Sequence, residues 1–411
     1  MSKLPAIIIG AGHSGLAMSR ALARRGIDHM VLERGQVANS WKTERWDSLR
    51  LLSPNWMNGL PGQPYAGPDP DGFMSVPELV RTFDSYALSN AVPIRTQTQV
   101  ISVSPAQDGY SVQTDQGMFH SRSVVVASGA CALPNLPAVA TELPPQIARI
   151  TPLTYRRPTD LVPGGVLVVG ASASGLQLAR ELALAGRRVV LAAGTHLRLP
   201  RFYRGADILR WMERIGVFDT PWYQVDDIER VRRTPSLPLM GSDECETLDL
   251  NALQDLGVEI VGRLAAVSGG KAQFSGSLAN LCVSADLKMD RLLTAIDNFI
   301  ATSRLAAPPA EPIPPTRVPD APRLSLDLVK EGIGTVLLAT GCRPDHHWLD
   351  MPVFDRKGRI RHKGGVVGAG LYVMGLPYLR TRHSTHIAGA SADAEALARH
   401  LSERILGREA A

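Results

Sequence analysis

One stretch, residues 6–35, constrains the fold of this chain more than any other part of it. It reads as a buried strand, the sequence Gly10-x-Gly12-x-x-Gly15, a helix, and a second strand that ends on Glu33. In such a unit the first glycine makes a tight turn, the second lets the backbone approach a pyrophosphate, and the third lets the helix pack on the strand. The stretch therefore predicts a Rossmann-type dinucleotide-binding unit.

The residues around this turn favour a bound dinucleotide with free ribose hydroxyls. Glu33 lies at the tip of the second strand, where a carboxylate can accept both hydroxyls of a ribose. Ser14 and the helix N-terminus offer donors to the phosphates, because the first N–H groups of a helix have no partner within it. Arg34, which follows the acidic tip, is a further candidate for cofactor binding.

The same pattern returns in residues 165–192, with Gly170-x-Ser172-x-Ser174-Gly175 at the turn. A serine replaces the middle glycine, which still leaves the backbone close to a phosphate and adds a hydroxyl donor. We interpret this stretch as a second dinucleotide-binding unit, with a purely structural glycine turn as the alternative.

The tip of the second unit carries no carboxylate. Instead the strand is followed by Thr195 and Arg198. A carboxylate would repel a 2′-phosphate, whereas a hydroxyl and an arginine would hold one, so the sequence favours NADPH over NADH. The alternative is that Arg198 is a solvated loop arginine, in which case Arg201 and Arg204 are the next candidates.

Composition limits the other possibilities. With 411 residues, 45% hydrophobic and 20% charged, the chain resembles a soluble globular protein of two or three domains. The net charge is +5, but no basic run contains interleaved aromatics, so we expect no nucleic-acid partner. The N-terminus lacks a signal-peptide pattern and no apolar run could span a bilayer, so we expect a cytoplasmic protein without a membrane partner.

Cysteine spacing argues against two kinds of site. The four cysteines, Cys131, Cys245, Cys282 and Cys342, are far apart in the sequence, and no C-x-x-C occurs. This disfavours a dithiol flavoprotein reductase and a zinc site, and no metal site is expected. We interpret each cysteine as a small buried apolar residue.

The order of the predicted elements indicates an α/β fold with two Rossmann-type dinucleotide-binding domains, the second inserted into the first. The first part of the first dinucleotide-binding domain is expected at 1–162. The second dinucleotide-binding domain, with a substrate or lid insertion, is expected at 163–325, and the return to the first domain at 326–411. A proline-rich segment, 308–322, is interpreted as an extended crossing between them.

These features together resemble the class B flavoprotein monooxygenases, which include flavin-containing monooxygenases, Baeyer–Villiger enzymes and plant indole-pyruvate monooxygenases. The resemblance is carried by two glycine turns about 160 residues apart and by predicted strands that end at Gly129, Gly341 and Gly375. The stretches Ser40-Trp41 and TGCRPD at 340–345 support it. It covers nearly the whole chain, most weakly in residues 205–330.

The resemblance implies FAD in the first unit and NADPH in the second. Hydride would pass to the flavin, O2 would add at flavin C4a, and the resulting (hydro)peroxide would oxygenate a small organic substrate. The loop containing Trp41, Arg45 and Asn55 would approach the isoalloxazine, and Asn55 would bond the oxygenated flavin or the NADP⁺ amide. The alternative for Asn55 is a turn-forming residue after Pro54. A homodimer is common in this family.

Three histidines are further candidates near the flavin. His383 and His386 precede the closing helix, whose N-terminal dipole could stabilise negative charge on a reduced flavin. The alternative for each of these two is a solvated loop side chain. His13, within the first glycine turn, is interpreted as a loop residue that faces solvent or the loop at Trp41.

One family feature is missing. The monooxygenase fingerprint F-x-G-x-x-x-H-x-x-x-aromatic, aligned so that it ends on Tyr155, meets Pro145, Ile147 and Thr151 at its other three positions. Three functions therefore stay open: a monooxygenase, a flavin oxidase or reductase that does not oxygenate, and a cofactor-binding sensor. Two complete dinucleotide units disfavour the sensor, because a sensor has little need of a hydride donor.

The predicted catalytic residue is Asn55. The predicted cofactor-binding residues are Gly10, Gly12, Ser14, Gly15, Glu33, Arg34, Trp41, Arg45, Gly129, Gly170, Ser172, Ser174, Gly175, Thr195, Arg198, Gly341 and Gly375.

Overall fold

Two separate parallel sheets, each built beside one of the glycine turns, form the frame of the molecule. The computed structural model describes residues 3–407. The chain begins with β1 (Leu4–Ile9), α1 (His13–Ala23), β2 (His29–Leu32), α2 (Asn39–Thr43), α3 (Val76–Ser89), β3 (Ile94–Arg95), β4 (Val100–Ala106), β5 (Gly109–Thr114) and β6 (Gly117–Val126).

The middle of the chain builds the second sheet and its surroundings. Its elements are β7 (Leu133–Pro134), β8 (Ala148–Ile150), β9 (Gly165–Val169), α4 (Ala173–Leu184), β10 (Val189–Ala192), β11 (Phe202–Tyr203), β12 (Ala206–Asp207), α5 (Ile208–Arg214), α6 (Ile228–Arg232), α7 (Leu250–Asp255), β13 (Glu259–Val261), β14 (Leu264–Ser268), β15 (Lys271–Phe274), α8 (Leu278–Thr302), β16 (Ser325–Asp327), β17 (Ile333–Leu338) and β18 (Cys342–Arg343). The chain then returns to the first sheet with β19 (Val366–Gly368), β20 (Leu371–Val373) and α9 (Ala390–Ile405).

The first sheet has the order β3-β2-β1-β6-β20-β19, and β4 and β5 extend it from β6 as antiparallel strands. The five neighbouring strands β3, β2, β1, β6 and β20 run parallel to one another. Ile8 of β1 lies beside Val31 of β2 and Val125 of β6. These central residues are fully buried or nearly so, in a core to which α1 and α9 contribute. The continuous apolar runs thus form strands that are covered on both faces.

The second sheet has the order β13-β10-β9-β17-β8, with every pair parallel. Alternate residues of β9 enter different cores, because successive side chains of a strand point to opposite faces. Val166 and Val168 pack with residues of α4 and α7. Leu167 and Val169 pack with the three-stranded sheet β14-β15-β16. Both layers are therefore needed to bury this sheet.

The fold class predicted from the sequence is confirmed, but the domain limits need correction. Strands β8 and β17 belong to the second sheet, so that domain extends from before residue 148 to beyond residue 338, past the predicted limits of 163 and 325. The apolar run of β17 could serve as a central strand of either sheet, and its composition does not distinguish them. The predicted outer limits, residues 1 and 411, lie outside the described residues.

The proline-rich segment 308–322 does not cross between the domains. Asn251 of α7 donates a hydrogen bond to the Pro315 carbonyl, and Asp286 of α8 accepts bonds from Thr316, so the segment lies along the second domain. The two crossings instead follow β6 and β17. None of the helices within residues 3–407 is long and apolar enough to cross a membrane.

Candidate active site

The first glycine turn has the geometry that the sequence predicts. Gly10 has φ +108°, and a Cβ there would lie 2.5 Å from the Ala127 carbonyl oxygen. A Cβ on Gly15 would lie 1.9 Å from the Gly10 carbonyl oxygen, so helix α1 can approach the turn only without a side chain. A Cβ on Gly12 would meet no atom within 4 Å, which leaves open space at the N-terminus of α1. That space is where a pyrophosphate would meet the free N–H groups of the helix.

Several buried polar atoms around this turn have no hydrogen-bond partner within residues 3–407. They are Nε2 of His13, Oγ of Ser14 and Oγ of Ser128. Ser14 is 3% exposed, and a Cβ on Gly375 (φ +72°) would come within 2.7 Å of its Oγ. Buried polar atoms without partners are costly, so a ligand with phosphate and ring oxygens would satisfy them. The donor set fits the pyrophosphate and flavin of FAD.

Glu33 is held ready for a ribose. Its Oε2 accepts a hydrogen bond from the Ala11 backbone N–H at 2.8 Å, and its Oε1 accepts one from the Gly35 N–H at 2.9 Å. A carboxylate has about four acceptor positions, so two backbone bonds leave capacity for the two ribose hydroxyls. This geometry fits the predicted role of Glu33.

The second glycine turn repeats the first. Gly170 has φ +112°, and a Cβ there would lie 2.4 Å from the Ala339 carbonyl oxygen. A Cβ on Gly175 would lie 1.9 Å from the Gly170 carbonyl oxygen. Ser172, with φ −97° and ψ −176°, adopts nearly the conformation of Gly12, with φ −82° and ψ −175°. The serine therefore fits this turn without strain, and Ser172 and Ser174 both stay half-exposed beside α4.

Arg198 is not a free cation at the tip of β10. It is 5% exposed, and its guanidinium lies 2.8 Å from Asp249 Oδ2 and 2.9 Å from Asp286 Oδ1. Asp249 caps α7 and Asp286 belongs to α8, so Arg198 ties two helices together. Because the Arg198 guanidinium is already bonded to two carboxylates, this structure contradicts the predicted phosphate-binding role of Arg198.

The two reserve arginines are also engaged. Arg201 is fully buried and lies 2.5 Å from Asp207 Oδ2, and Arg204 lies 2.9 Å from Asp297 Oδ1. Of the four residues predicted to bind the 2′-phosphate, only Thr195 is exposed; it lies just after the end of β10.

The loop after β2 is held by its own contacts. Arg45 lies over the Trp41 ring, 5.0 Å from its centroid, and Arg34 pairs with Glu44 at 2.6 Å. Arg34 is exposed and Trp41 and Arg45 are half-buried. Arg34 is thus already paired on the surface, whereas Trp41 packs against the cluster that contains Leu16 of α1. Trp41 and Arg45 remain candidates for the cofactor.

Asn55 begins the short 3-10 turn Asn55–Met57 and is 6% exposed. Its Nδ2 donates a hydrogen bond to the Asp69 carbonyl at 2.8 Å, while its Oδ1 has no partner within residues 3–407. The Met57 carbonyl accepts a bond from the Ala388 N–H just before α9, which places this turn near the N-terminus of that helix. Asn55 therefore offers an acceptor, and can bond a donor such as an amide N–H.

Tyr155, the one fingerprint residue that survives, bonds a carboxylate that also bonds the first domain. Its hydroxyl donates to Glu181 Oε1 at 3.0 Å, and Ser48 of the loop after β2 donates to Oε2 of the same carboxylate at 2.7 Å. Burial raises the pKa of Tyr155 and of Glu181. Glu181 lies on α4, so the loop of the first domain is attached to the helix that follows the second glycine turn.

His13, His383 and His386 form a cluster beside the first turn. Burial lowers the pKa of His13 and of His386 to about 4, and the charges of neighbouring histidines add to the effect on His386. His386 Nδ1 lies 3.3 Å from His383 Nδ1, and the ring of Phe218 contacts both. His383 Nε2 lies 3.1 Å from Glu213 Oε2. The solvated-loop alternative for His386 is wrong, and neutral His13 can donate to or accept from a ligand.

Comparison with known proteins agrees with the dinucleotide-binding geometry of the two glycine turns. A sequence profile described as pyridine nucleotide-disulphide oxidoreductase matches residues 7–201. The CzcO-like oxidoreductase of Geobacillus kaustophilus is 28% identical over 395 residues, covering 95% of this chain and 96% of that protein. A probable indole-3-pyruvate monooxygenase, YUCCA4 of Arabidopsis thaliana, is 31% identical over 185 residues, or 43% of each chain.

The fold agrees with these relatives. A flavin-containing monooxygenase from Stenotrophomonas maltophilia superimposes with a TM-score of 0.68 over 98% of this chain and 100% of its own, at 17% identity. The chain is thus similar to CzcO-like oxidoreductases over nearly its whole length, to an indole-3-pyruvate monooxygenase over part of it, and to a flavin-containing monooxygenase in fold. The resemblance inferred from the glycine turns is therefore confirmed, and the protein is a flavin-dependent oxidoreductase.

The structure also shows an arginine near the tip of β10 that the sequence did not single out. Arg263 follows β13, and β13 pairs with β10 so that Val261 lies beside Ala192. Two residues further along both strands, the Cγ of Arg263 lies 3.8 Å from where a Cβ of Gly194 would be. Arg263 is exposed, and so is Thr195, the residue that follows Gly194 after β10. Only the strand register could have found it.

The structure also corrects the interpretation of two cysteines. Cys131 and Cys342 are joined in a disulfide, and Cys131 is exposed. Their separation of 211 residues concealed the pairing, because each follows a different sheet. Cys282 is buried, as expected, and Cys245 is half-buried.

Proposed function

We propose that this protein is an NADPH- and FAD-dependent monooxygenase that transfers one oxygen atom from O2 to a small organic substrate. The observation that carries the proposal is the pair of glycine turns with different surroundings. The first is lined by shielded polar atoms without partners, as a permanently bound cofactor requires. The second keeps Ser172 and Ser174 half-exposed, as an exchanging cofactor requires.

Each residue of the first site has a role toward FAD. The N-terminus of α1 and Ser14 hold the pyrophosphate, and Glu33 accepts the ribose hydroxyls. FAD, when bound, supplies the chemistry of hydride acceptance and oxygen activation. The side chains orient it and exclude water, and the acceptor Oδ1 of Asn55 bonds an amide N–H of the flavin or nicotinamide.

The preference for NADPH rests on Arg263 and Thr195 in this proposal. Both are exposed at neighbouring strand ends of the second sheet, where the adenosine ribose of a dinucleotide lies in this fold. An arginine and a hydroxyl there would bind a 2′-phosphate, and no carboxylate follows β10 directly to repel it. Arg263 thus takes the role that the sequence suggested for Arg198.

The test combines flavin analysis with labelled oxygen. The purified protein should be yellow, with about one FAD per chain, and should oxidise NADPH faster than NADH at equal concentration. A panel of amines, sulfides, indoles and ketones is then incubated with NADPH under ¹⁸O2. Transfer of one ¹⁸O atom into at least one compound, detected by mass spectrometry, is the expected result.

The second candidate function is an NADPH oxidase, favoured by the absence of the fingerprint residues at Pro145, Ile147 and Thr151. Within residues 3–407, the hydrogen bonds of Thr151 are made with Thr154 and Tyr155 of its own turn. If every NADPH consumed yields one hydrogen peroxide and no compound gains label, the oxidase replaces the monooxygenase.

A further inference from the structure

Two cysteines meet where the chain passes between the sheets. The disulfide between Cys131 and Cys342 spans 211 residues of sequence, with Cα atoms 4.9 Å apart. Cys131 lies shortly after β6 of the first sheet, and Cys342 lies shortly after β17 of the second. The bond therefore joins the outgoing crossing to the returning one, and closes a loop that contains the second sheet.

Besides the disulfide, a short ribbon and several hydrogen bonds hold the two crossings together, including one from Asn135 Nδ2 to the Cys342 carbonyl and one from Thr340 Oγ1 to the Asn135 carbonyl. Strands β7 and β18 form an antiparallel ribbon of two residues each. The Asn135 N–H donates to the Gly341 carbonyl at 2.9 Å, and the Ala132 N–H donates to the Arg343 carbonyl at 3.1 Å. An isolated two-stranded ribbon is marginally stable in water, so the covalent bond decides how firmly these segments stay paired.

Each crossing carries a glycine in the left-handed region near a cysteine, and one of the two cysteines is exposed. Gly129 and Gly341, one on each crossing, have φ of +87° and +88°. Cys131 is exposed and Cys342 is half-buried, whereas Cys282 is buried in the second domain. Thiol–disulfide exchange requires a thiolate to reach a sulfur, and the exposed position of Cys131 favours such an approach.

We propose that Cys131 and Cys342 form a site of reversible thiol–disulfide exchange with low-molecular-weight thiols, which sets how firmly the second domain is held against the first. A thiolate attacks the Cys131 sulfur, forms a mixed disulfide there, and releases the Cys342 thiolate, which takes up a proton. A second thiolate attacks the sulfur of the bound small thiol and releases Cys131 as a thiolate, which is also protonated. In total, two small thiols become one small disulfide, and the protein gains two thiols.

The first experiment counts thiols and needs neither flavin nor NADPH. The background variant carries Cys245→Ser and Cys282→Ser, so that only Cys131 and Cys342 remain. Air-oxidised protein, unfolded in guanidinium, should show no thiol with DTNB. Treatment of the folded protein with reduced glutathione should expose two, and glutathione disulfide should remove them again. Two thiols in the air-oxidised protein, or none after glutathione, would overturn the proposal.

The second experiment tests the consequence for the domains. After glutathione is removed, the reduced protein should be cut faster by proteinase K within residues 131–147, and Cys131→Ser should behave like it even without glutathione. On the proposed function, the KM for NADPH should rise several-fold with FAD content unchanged, and reoxidation should reverse this. Equal cleavage of oxidised and reduced protein would show that the bond does not control the crossings, whatever reaction the enzyme catalyses.

Discussion

The two glycine turns have nearly the same backbone but very different surroundings. Around the first, Ser14 is 3% exposed and lacks a partner, and the acidic tip Glu33 is fixed by two backbone amides. Around the second, Ser172 is half-exposed and the tip carries Thr195 instead of an acid. On the proposed function, the same turn would serve a permanently held dinucleotide in one domain and an exchanging one in the other. Burial of the polar groups, not the turn, makes the difference.

The largest expected effect comes from filling the open space at the first turn. In Gly12→Val, the new side chain meets no protein atom at Cβ, so the fold should survive, but it occupies the expected place of the pyrophosphate. The purified variant should be colourless, with FAD content near zero by absorbance at 450 nm. The matched variant Ser172→Val should keep its FAD and lose only NADPH affinity. A yellow Gly12→Val protein would show that the first turn does not bind the flavin.

The next effect separates stability from cofactor binding in the second domain. Arg198→Ala leaves the buried Asp249 and the half-buried Asp286 without their cation, and breaking a buried pair costs about 3–5 kcal/mol. Urea unfolding should show that loss in the free energy of unfolding. The pairing predicts no preferential effect on NADPH over NADH. Full stability combined with a loss confined to NADPH would restore the phosphate-binding role of Arg198.

A smaller effect is expected at Arg263. Its guanidinium lies on the surface, so Arg263→Ala should leave the unfolding curve unchanged. A charge-assisted bond to a phosphate contributes about 1.5–3 kcal/mol, or about ten- to a hundredfold in affinity. The KM for NADPH should rise accordingly, and that for NADH should stay the same. Equal changes for both cofactors would exclude a role in recognising the 2′-phosphate.

The contrast between Arg198 and Arg263 also shows what a sequence can predict here. The geometry of the glycine turns and the position of Glu33 could be predicted because they depend on local spacing within one strand–helix–strand unit. Arg198 was misassigned because its partners, Asp249 and Asp286, lie 51 and 88 residues further along the chain. Arg263 was overlooked because only the pairing of β13 with β10 brings it to the strand tip.

The predictions of the domain limits and of the state of Cys131 and Cys342 were wrong for the same reason. The strand β17 has the apolar composition of any central strand, and its place in the second sheet follows from its neighbours. Cys131 and Cys342 each follow a predicted strand that ends at a glycine, Gly129 or Gly341, and the sequence does not show that these two strand ends meet. Long-range pairing is therefore the information that local patterns lacked, both in the fold and at the site.

Helix α9 of the first domain contains a carboxyl group that makes stability depend on pH. Asp393 on α9 is 3% exposed, and its Oδ2 has no partner within residues 3–407. Burial raises its pKa from 3.8 to about 6, although Ser384 and Arg380 partly offset this. The folded state therefore holds a proton that the unfolded state releases between about pH 4 and pH 6. The stability gained from that proton is complete below pH 4 and is lost as the pH rises to 6.

Asp393→Asn imitates the protonated form and tests this smallest effect. Two pKa units correspond to about 3 kcal/mol, so the variant should be more stable than the parent by up to about that amount at pH 8. The advantage should shrink as the pH falls from 6 toward 4, where the parent becomes protonated. His13 and His386, whose lowered pKa values make stability fall with acid in the same range, act equally in both proteins and cancel in the difference. Urea unfolding at four pH values between 4.5 and 8 measures that difference. An advantage that does not change with pH would mean that the Asp393 carboxyl is not protonated in the folded protein.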